Sequence, residues 1–146
     1  MRPYFLLTFT CLFSFCLLGC GDNVRLRGTV TFSDNQEPLT VGEIHFSTPT
    51  FLARATIQPD GTYTVGSERE GDGLPPGTYA ITIVNAVEGR WTMTDRPDVD
   101  ARGLAHVAPE RPLIHPRYRN RETSGLSVTV DGSSRVFDFQ VDRFIP

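Results

Sequence analysis

Thr78-Tyr79-Ala80-Ile81-Thr82-Ile83-Val84-Asn85 is rich in β-branched and aromatic residues. Such side chains are stiff at χ1 and pack well on a pleated surface, so the segment reads as a core strand. The chain on either side supports the same period. Upstream, residues 67–77 form a loop punctuated by Gly71, Gly73, Pro75, Pro76 and Gly77, and 62–65 reads as a shorter strand. Before it stands Pro59-Asp60-Gly61, a hairpin turn in which Asp-Gly supplies the positive φ that tight turns need. Residues 52–58 read as another strand, and 41–47 place Ile44 and Phe46 on one face with Glu43 and His45 on the other. Asp34-Asn35-Gln36-Glu37-Pro38 is a turn cluster. In 24–32, Val24, Leu26, Gly28, Val30 and Phe32 alternate with Arg25, Arg27, Thr29 and Thr31, the pattern of a half-buried strand.

Downstream, 126–130 and 135–141 read as a last pair of strands around Asp131-Gly132-Ser133-Ser134, with Phe137, Phe139 and Val141 at period two. No segment of helical length carries apolar residues at i, i+3, i+4 without a Gly or Pro break. About seven short strands with regular turn signals predict an all-β fold, an antiparallel β-sandwich. The pattern fails over 87–121, a long irregular loop holding Pro97, Pro109, Pro112 and Pro116 among charged residues. Trp91, Met93, Leu104, Val107, Leu113 and Ile114 are the residues that would pin it to the sandwich. A loop of this length is mobile, folded over a sheet edge, or functional.

The chain has 146 residues, one ordinary domain, with 39% apolar and 21% charged residues, a globular balance. All 14 basic residues are Arg, which excludes Schiff-base catalysis, a P-loop lysine and lysine cross-links. A net charge of -3 and a pI near 5.5 argue against nucleic acid as a partner.

The first twenty residues read as an address. Arg2 is followed by an apolar run over 4–18, and no charge appears before Asp22, the layout of a secretory signal peptide and of a signal helix ahead of the domain. An uncleaved membrane helix and a plain signal peptide are the alternatives. Cys20 ends the run and polar Gly21-Asp22-Asn23 follows it directly. Leu17-Leu18-Gly19-Cys20 resembles the bacterial lipobox, although Ala or Ser is commoner than Leu before the Gly. The resemblance implies cleavage after Gly19 and a diacylglycerol on the Cys20 thiol. The expected organisation is a signal peptide over 1–19, a lipidated N-terminus and short tether over 20–23, and a single β-sandwich domain over 24–146. Cys11 and Cys16 would leave with the signal and Cys20 would be acylated, so no disulfide framework is expected. Membrane lipid is then the partner, bound through more than one acyl chain. The expected location is the cell envelope, periplasmic or surface-facing. Gly21 in place of Asp favours the outer membrane by analogy with proteobacterial sorting.

The order Gly28-Thr29-Val30-Thr31-Phe32, Pro38-Leu39, Val41-Gly42, Ala55-Thr56-Ile57, Asp60-Gly61-Thr62-Tyr63-Thr64-Val65 and Leu74-Pro75-Pro76-Gly77-Thr78-Tyr79 resembles the carboxypeptidase regulatory-like family. That resemblance implies a transthyretin-like, Ig-like sandwich. Ile114-His115-Pro116-Arg117-Tyr118 with Thr123-Ser124-Gly125-Leu126 is similar to small predicted lipoproteins of planctomycete-type bacteria. These motifs are folding devices: Gly28 admits a close neighbour, Asp60-Gly61 closes a turn, and Pro75-Pro76-Gly77 sets Tyr79 in register. No reaction comes with the resemblance. Transthyretin-like folds include a hydroxyisourate hydrolase with a C-terminal Tyr-Arg-Gly-Ser, where this chain has Asp142-Arg143-Phe144-Ile145-Pro146. The His-x-x-Glu zinc pair of metallocarboxypeptidases is likewise missing.

His45, His106 and His115 lack the spacing of a zinc site, and Asp95, Asp98 and Asp100 match no calcium loop. Neither cofactor nor metal is expected. No Gly-x-Ser-x-Gly elbow exists, Ser124 has no base near it in sequence, and Glu68, Glu70 and Asp72 alternate in a Gly-rich loop. The most suggestive chemistry lies in 111–121. In an extended segment Arg117, Arg119 and Arg121 would project from one side around Tyr118, and guanidinium groups bind oxyanions bidentately. The competing reading pairs these Arg with the acidic loops at 68–72 and 95–100. The expected function is a non-enzymatic, lipid-anchored envelope protein with a structural or adhesive domain, with another envelope polymer or protein as partner. The alternative is a carbohydrate or anionic-polymer binding module using Trp91, Arg117, Tyr118, Arg119 and Arg121.

Overall fold

Alternation at period two becomes alternating burial in the computed structural model, which describes residues 23–66, 69, 71–89, 98–99, 105–106 and 110–146. Residues 1–22, with Cys20 and the expected signal helix, lie outside the described residues, as does Trp91. Strand β1 (Arg27–Phe32) buries Gly28, Val30 and Phe32. Strand β2 (Glu43–Ser47) buries Ile44 and Phe46 and leaves Glu43 and His45 half-exposed on its outer face, as expected. Then come β3 (Leu52–Thr56), β4 (Thr62–Thr64) and β5 (Gly77–Val84). Strands β10 (Leu126–Val130) and β11 (Phe139–Val141) close the chain. A four-stranded sheet runs β10-β5-β2-β3 and a three-stranded sheet runs β11-β1-β4. The fold is all-β and sandwich-like, and its two main sheets hold the seven strands expected.

The sheets share one core. Phe46 of β2 meets Tyr63 of β4 and Phe139 of β11 at ring-centroid distances of 5.9 and 6.3 Å, and Tyr63 stacks on Phe139 at 6.4 Å. Val30, Ile44, Phe46, Ile81, Ile83 and Val141 are 0% exposed. Each such side chain contributes about 1.5–3 kcal/mol by leaving water, before the entropy of ordering is subtracted.

The Asp60-Gly61 turn forms as read: Gly61 has φ 80, its N–H donates to Gln58 O at 2.8 Å, and Asp60 Oδ1 accepts from Thr62 N and Oγ1 at 3.0 and 2.6 Å. Its two arms belong to opposite sheets, since β3 pairs with β2 and β4 pairs with β1. Beyond the turn itself the arms meet only at an isolated antiparallel bridge of Arg54 with Gly66, so the turn forms but the hairpin ladder expected around it does not.

The last two strands depart from the reading. They do not pair with each other. β10 pairs antiparallel with β5, whereas β11 runs parallel beside β1, with Val30 opposite Phe139. Gly28 permits that crossing. Phe137 N donates to Arg27 O at 3.0 Å, and a Cβ on Gly28 would lie 1.8 Å from Phe137 O. A turn sequence shows where a chain reverses but not which edge lies free to receive it. Here β1 received β11 on the side opposite β4.

The described parts of 87–121, expected as an irregular loop, contain paired strands and helical turns. Strand β6 (Val87–Glu88) pairs with β9 (Arg111–Pro112), and β7 (Asp98–Val99) pairs with β8 (Ala105–His106). Leu113 and Ile114 do pin it: Leu113 N donates to Ala86 O at 3.0 Å and Ile114 is 1% exposed. Met93, Leu104 and Val107 lie outside the described residues. A 3-10 turn (Pro116–Arg119) and a short helix α1 (Arg121–Ser124) then pack against β5, where the Ser124 hydroxyl donates to Ile81 O. Among the described residues no helix is long and apolar enough to cross a membrane.

Candidate functional site

The Arg117–Arg121 segment is turned, not extended. Pro116 brings its fixed φ to the first turn, and His115 Nδ1 accepts from Arg117 N at 3.2 Å. Successive residues therefore point in different directions and no single-sided stripe forms. Tyr118 is 2% exposed, so it presents no face to a ligand. Arg117 Nη2 donates to Tyr118 Oη at 2.7 Å and to Asp142 Oδ2 at 2.6 Å, and Asp142 N donates to the same Tyr118 oxygen at 3.1 Å. The competing reading of an internal pair applies to Arg117, with Asp142 as partner instead of the acidic loops. The Ser33 hydroxyl, 2.8 Å from Asp142 Oδ1, is the main cause that holds this carboxyl below the ordinary aspartate value of 3.8, with the Arg117 charge assisting. Arg119 is exposed beside a shallow cleft of about 290 Å³ shared with Val84, Asn85, Val87 and Glu110. Arg121 is exposed on α1.

His45 Nε2 lies 3.3 Å from Glu43 Oε2, and this contact is the first cause of a lowered Glu43 carboxyl; Asn85 Nδ2 adds a bond of 3.1 Å. The pair belongs to the outer face of β2. Among the described residues no three His, Cys, Asp or Glu side chains converge as metal ligands would.

A second basic cluster lies at the opposite chain end, where the sequence reading placed none. Arg25, Arg27 and Arg135 line a cleft of about 470 Å³ together with Leu26, Thr64 and Gly71. Arg25 and Arg27 stand two residues apart, on either side of buried Leu26, so they share the exposed face. Arg135 arrives from the far end of the chain because Arg27 N donates to its carbonyl at 3.0 Å and Arg27 bridges to Val136. The three are exposed, and no salt bridge among the described residues involves them. Guanidinium groups that line one cleft can offer bidentate donors to an oxyanion. The alternation of Arg25 and Arg27 was legible in sequence as a polar face. Nothing in sequence pointed to Arg135.

No family model matches the chain, and neither a curated protein nor a solved structure does.

Proposed function

We propose that this chain is a lipid-anchored protein of the bacterial envelope whose β-sandwich acts by binding or by structure, without catalysis. Cys20 carries the reading: it closes an uncharged apolar run and is followed at once by Gly21-Asp22-Asn23. Acylation there would hold the domain close to a membrane, since Val24 is already tied to Leu74 by hydrogen bonds of 2.7 and 2.9 Å. The regulatory-like motif order supports a transthyretin-like class for the domain. In keeping with that class, Gly28, Asp60-Gly61 and Tyr79 all serve packing and turns, and Tyr79 Oη donates back to Pro75 O at 2.7 Å. Tyr118 is buried and the exposed Arg117 is engaged by Tyr118 and Asp142, which weighs against a sugar-binding reading of 117–121.

Metabolic labelling with radioactive palmitate tests the anchor. Label is expected in the wild-type protein and absent from Cys20→Ala, which would accumulate as the unprocessed precursor. An unlabelled wild-type protein would refute the proposal.

A further inference from the structure

We infer that the cleft of Arg25, Arg27 and Arg135 seats the phosphate of an anionic phospholipid in the membrane that holds Cys20. The inference rests on the anchor proposed above and adds the ligand of a particular site. Val24 is fixed to Leu74 by its backbone, so the free tether is only the link from Cys20 to Val24. Four residue steps span at most about 14 Å when fully extended. Arg25 is the next residue and Arg27 follows on the same face. Screening in physiological salt acts over about 8 Å, so any slack in the tether brings these charges within the field of the headgroups.

The rest of the molecule sets the orientation. The chain carries a net charge of -3, so an anionic bilayer repels it as a whole and attracts this basic patch. The cleft volume of about 470 Å³ falls in the usual range for small-ligand sites, and Thr64 lines it beside the arginines. Free phosphate offers the same oxyanion chemistry. The tether favours the headgroup, because it confines the cleft beside a surface where that group is concentrated.

The test uses the full-length protein purified from membranes and held in an uncharged maltoside micelle. Binding of phosphatidylglycerol, phosphatidylcholine and inorganic phosphate is measured by native mass spectrometry and by thermal shift at two salt concentrations. Phosphatidylglycerol is expected to bind at least tenfold more tightly than phosphatidylcholine, and less tightly as salt rises. The variant Arg25→Gln/Arg27→Gln/Arg135→Gln is expected to lose that preference, and Arg54→Gln, an exposed arginine on β3, to keep it. All these side chains are exposed, and circular dichroism verifies that each variant folds. Equal binding of the two lipids, an unchanged triple variant, or inorganic phosphate binding as tightly as phosphatidylglycerol would each overturn the assignment. Lipid binding at the cleft is scored in the maltoside solution whether or not Cys20 is acylated. The lipid titration therefore reads the cleft, and palmitate labelling reads the anchor.

Discussion

A Cβ on Gly28 would lie 1.8 Å from the Phe137 carbonyl oxygen and 2.8 Å from the Tyr63 hydroxyl. The first neighbour is backbone, so no rotamer change relieves the clash. Tyr63 Oη also donates to Phe137 O, and burial, chiefly, raises that phenol well above its ordinary value, so it remains a donor. Gly28→Ala should therefore push β11 away from β1 and cost about 3 kcal/mol. Urea unfolding measures it, and a loss under about 1 kcal/mol would show that the crossing is softer than drawn. The close approach was foreseen at this glycine; the identity of the neighbour was not. Ser124, for which the sequence offered no nearby base, is 3% exposed, and its hydroxyl proton is engaged by Ile81 O.

Polar contacts hold the residues on both sides of strand β11. Asp138 Oδ1 accepts from Thr29 N and Oγ1 at 2.8 and 2.6 Å, and Asp142 joins Ser33, Arg117 and Tyr118. Arg143 lies over the Phe32 ring at 3.8 Å and reaches Asp34 and Glu37 at 3.1 and 3.2 Å. The Asp142 carboxyl is lowered by folding, so its contribution to stability is complete above the ordinary value of 3.8 and disappears as pH falls through the lower folded value. Arg117 and Asp142 are 46% and 48% exposed, so solvent screens the pair and the effect is small. Acidification from pH 5 to pH 2 should destabilise the wild type more than Asp142→Asn. Equal acid sensitivity in urea melts would assign no role to this carboxylate.

Across the whole molecule, sheet order sets which backbone opens last. Strands β5 and β2 are flanked on both sides, as is β1, whereas β3 lies at an edge. Native-state hydrogen exchange should find the slowest amides in these three central strands, with every other amide of β3 exchanging far faster. Uniform protection of β2 and β3 would contradict this order. Sequence by itself determined the all-β class and most strands, because period-two alternation such as Ile44 and Phe46 against Glu43 and His45 is a local consequence of the pleat. It also determined the Asp60-Gly61 turn, since positive φ is a local demand that Gly meets. Partnership was decided only in three dimensions. The same local signals in 126–141 fit a hairpin or a crossing, and pairing with β1 selected the crossing. That choice carried Arg135 next to Arg27, 108 residues away, while Pro116 turned 117–121 and buried Tyr118. Alternation is written into neighbouring residues, but a cleft between distant ones exists only once an edge has found its partner.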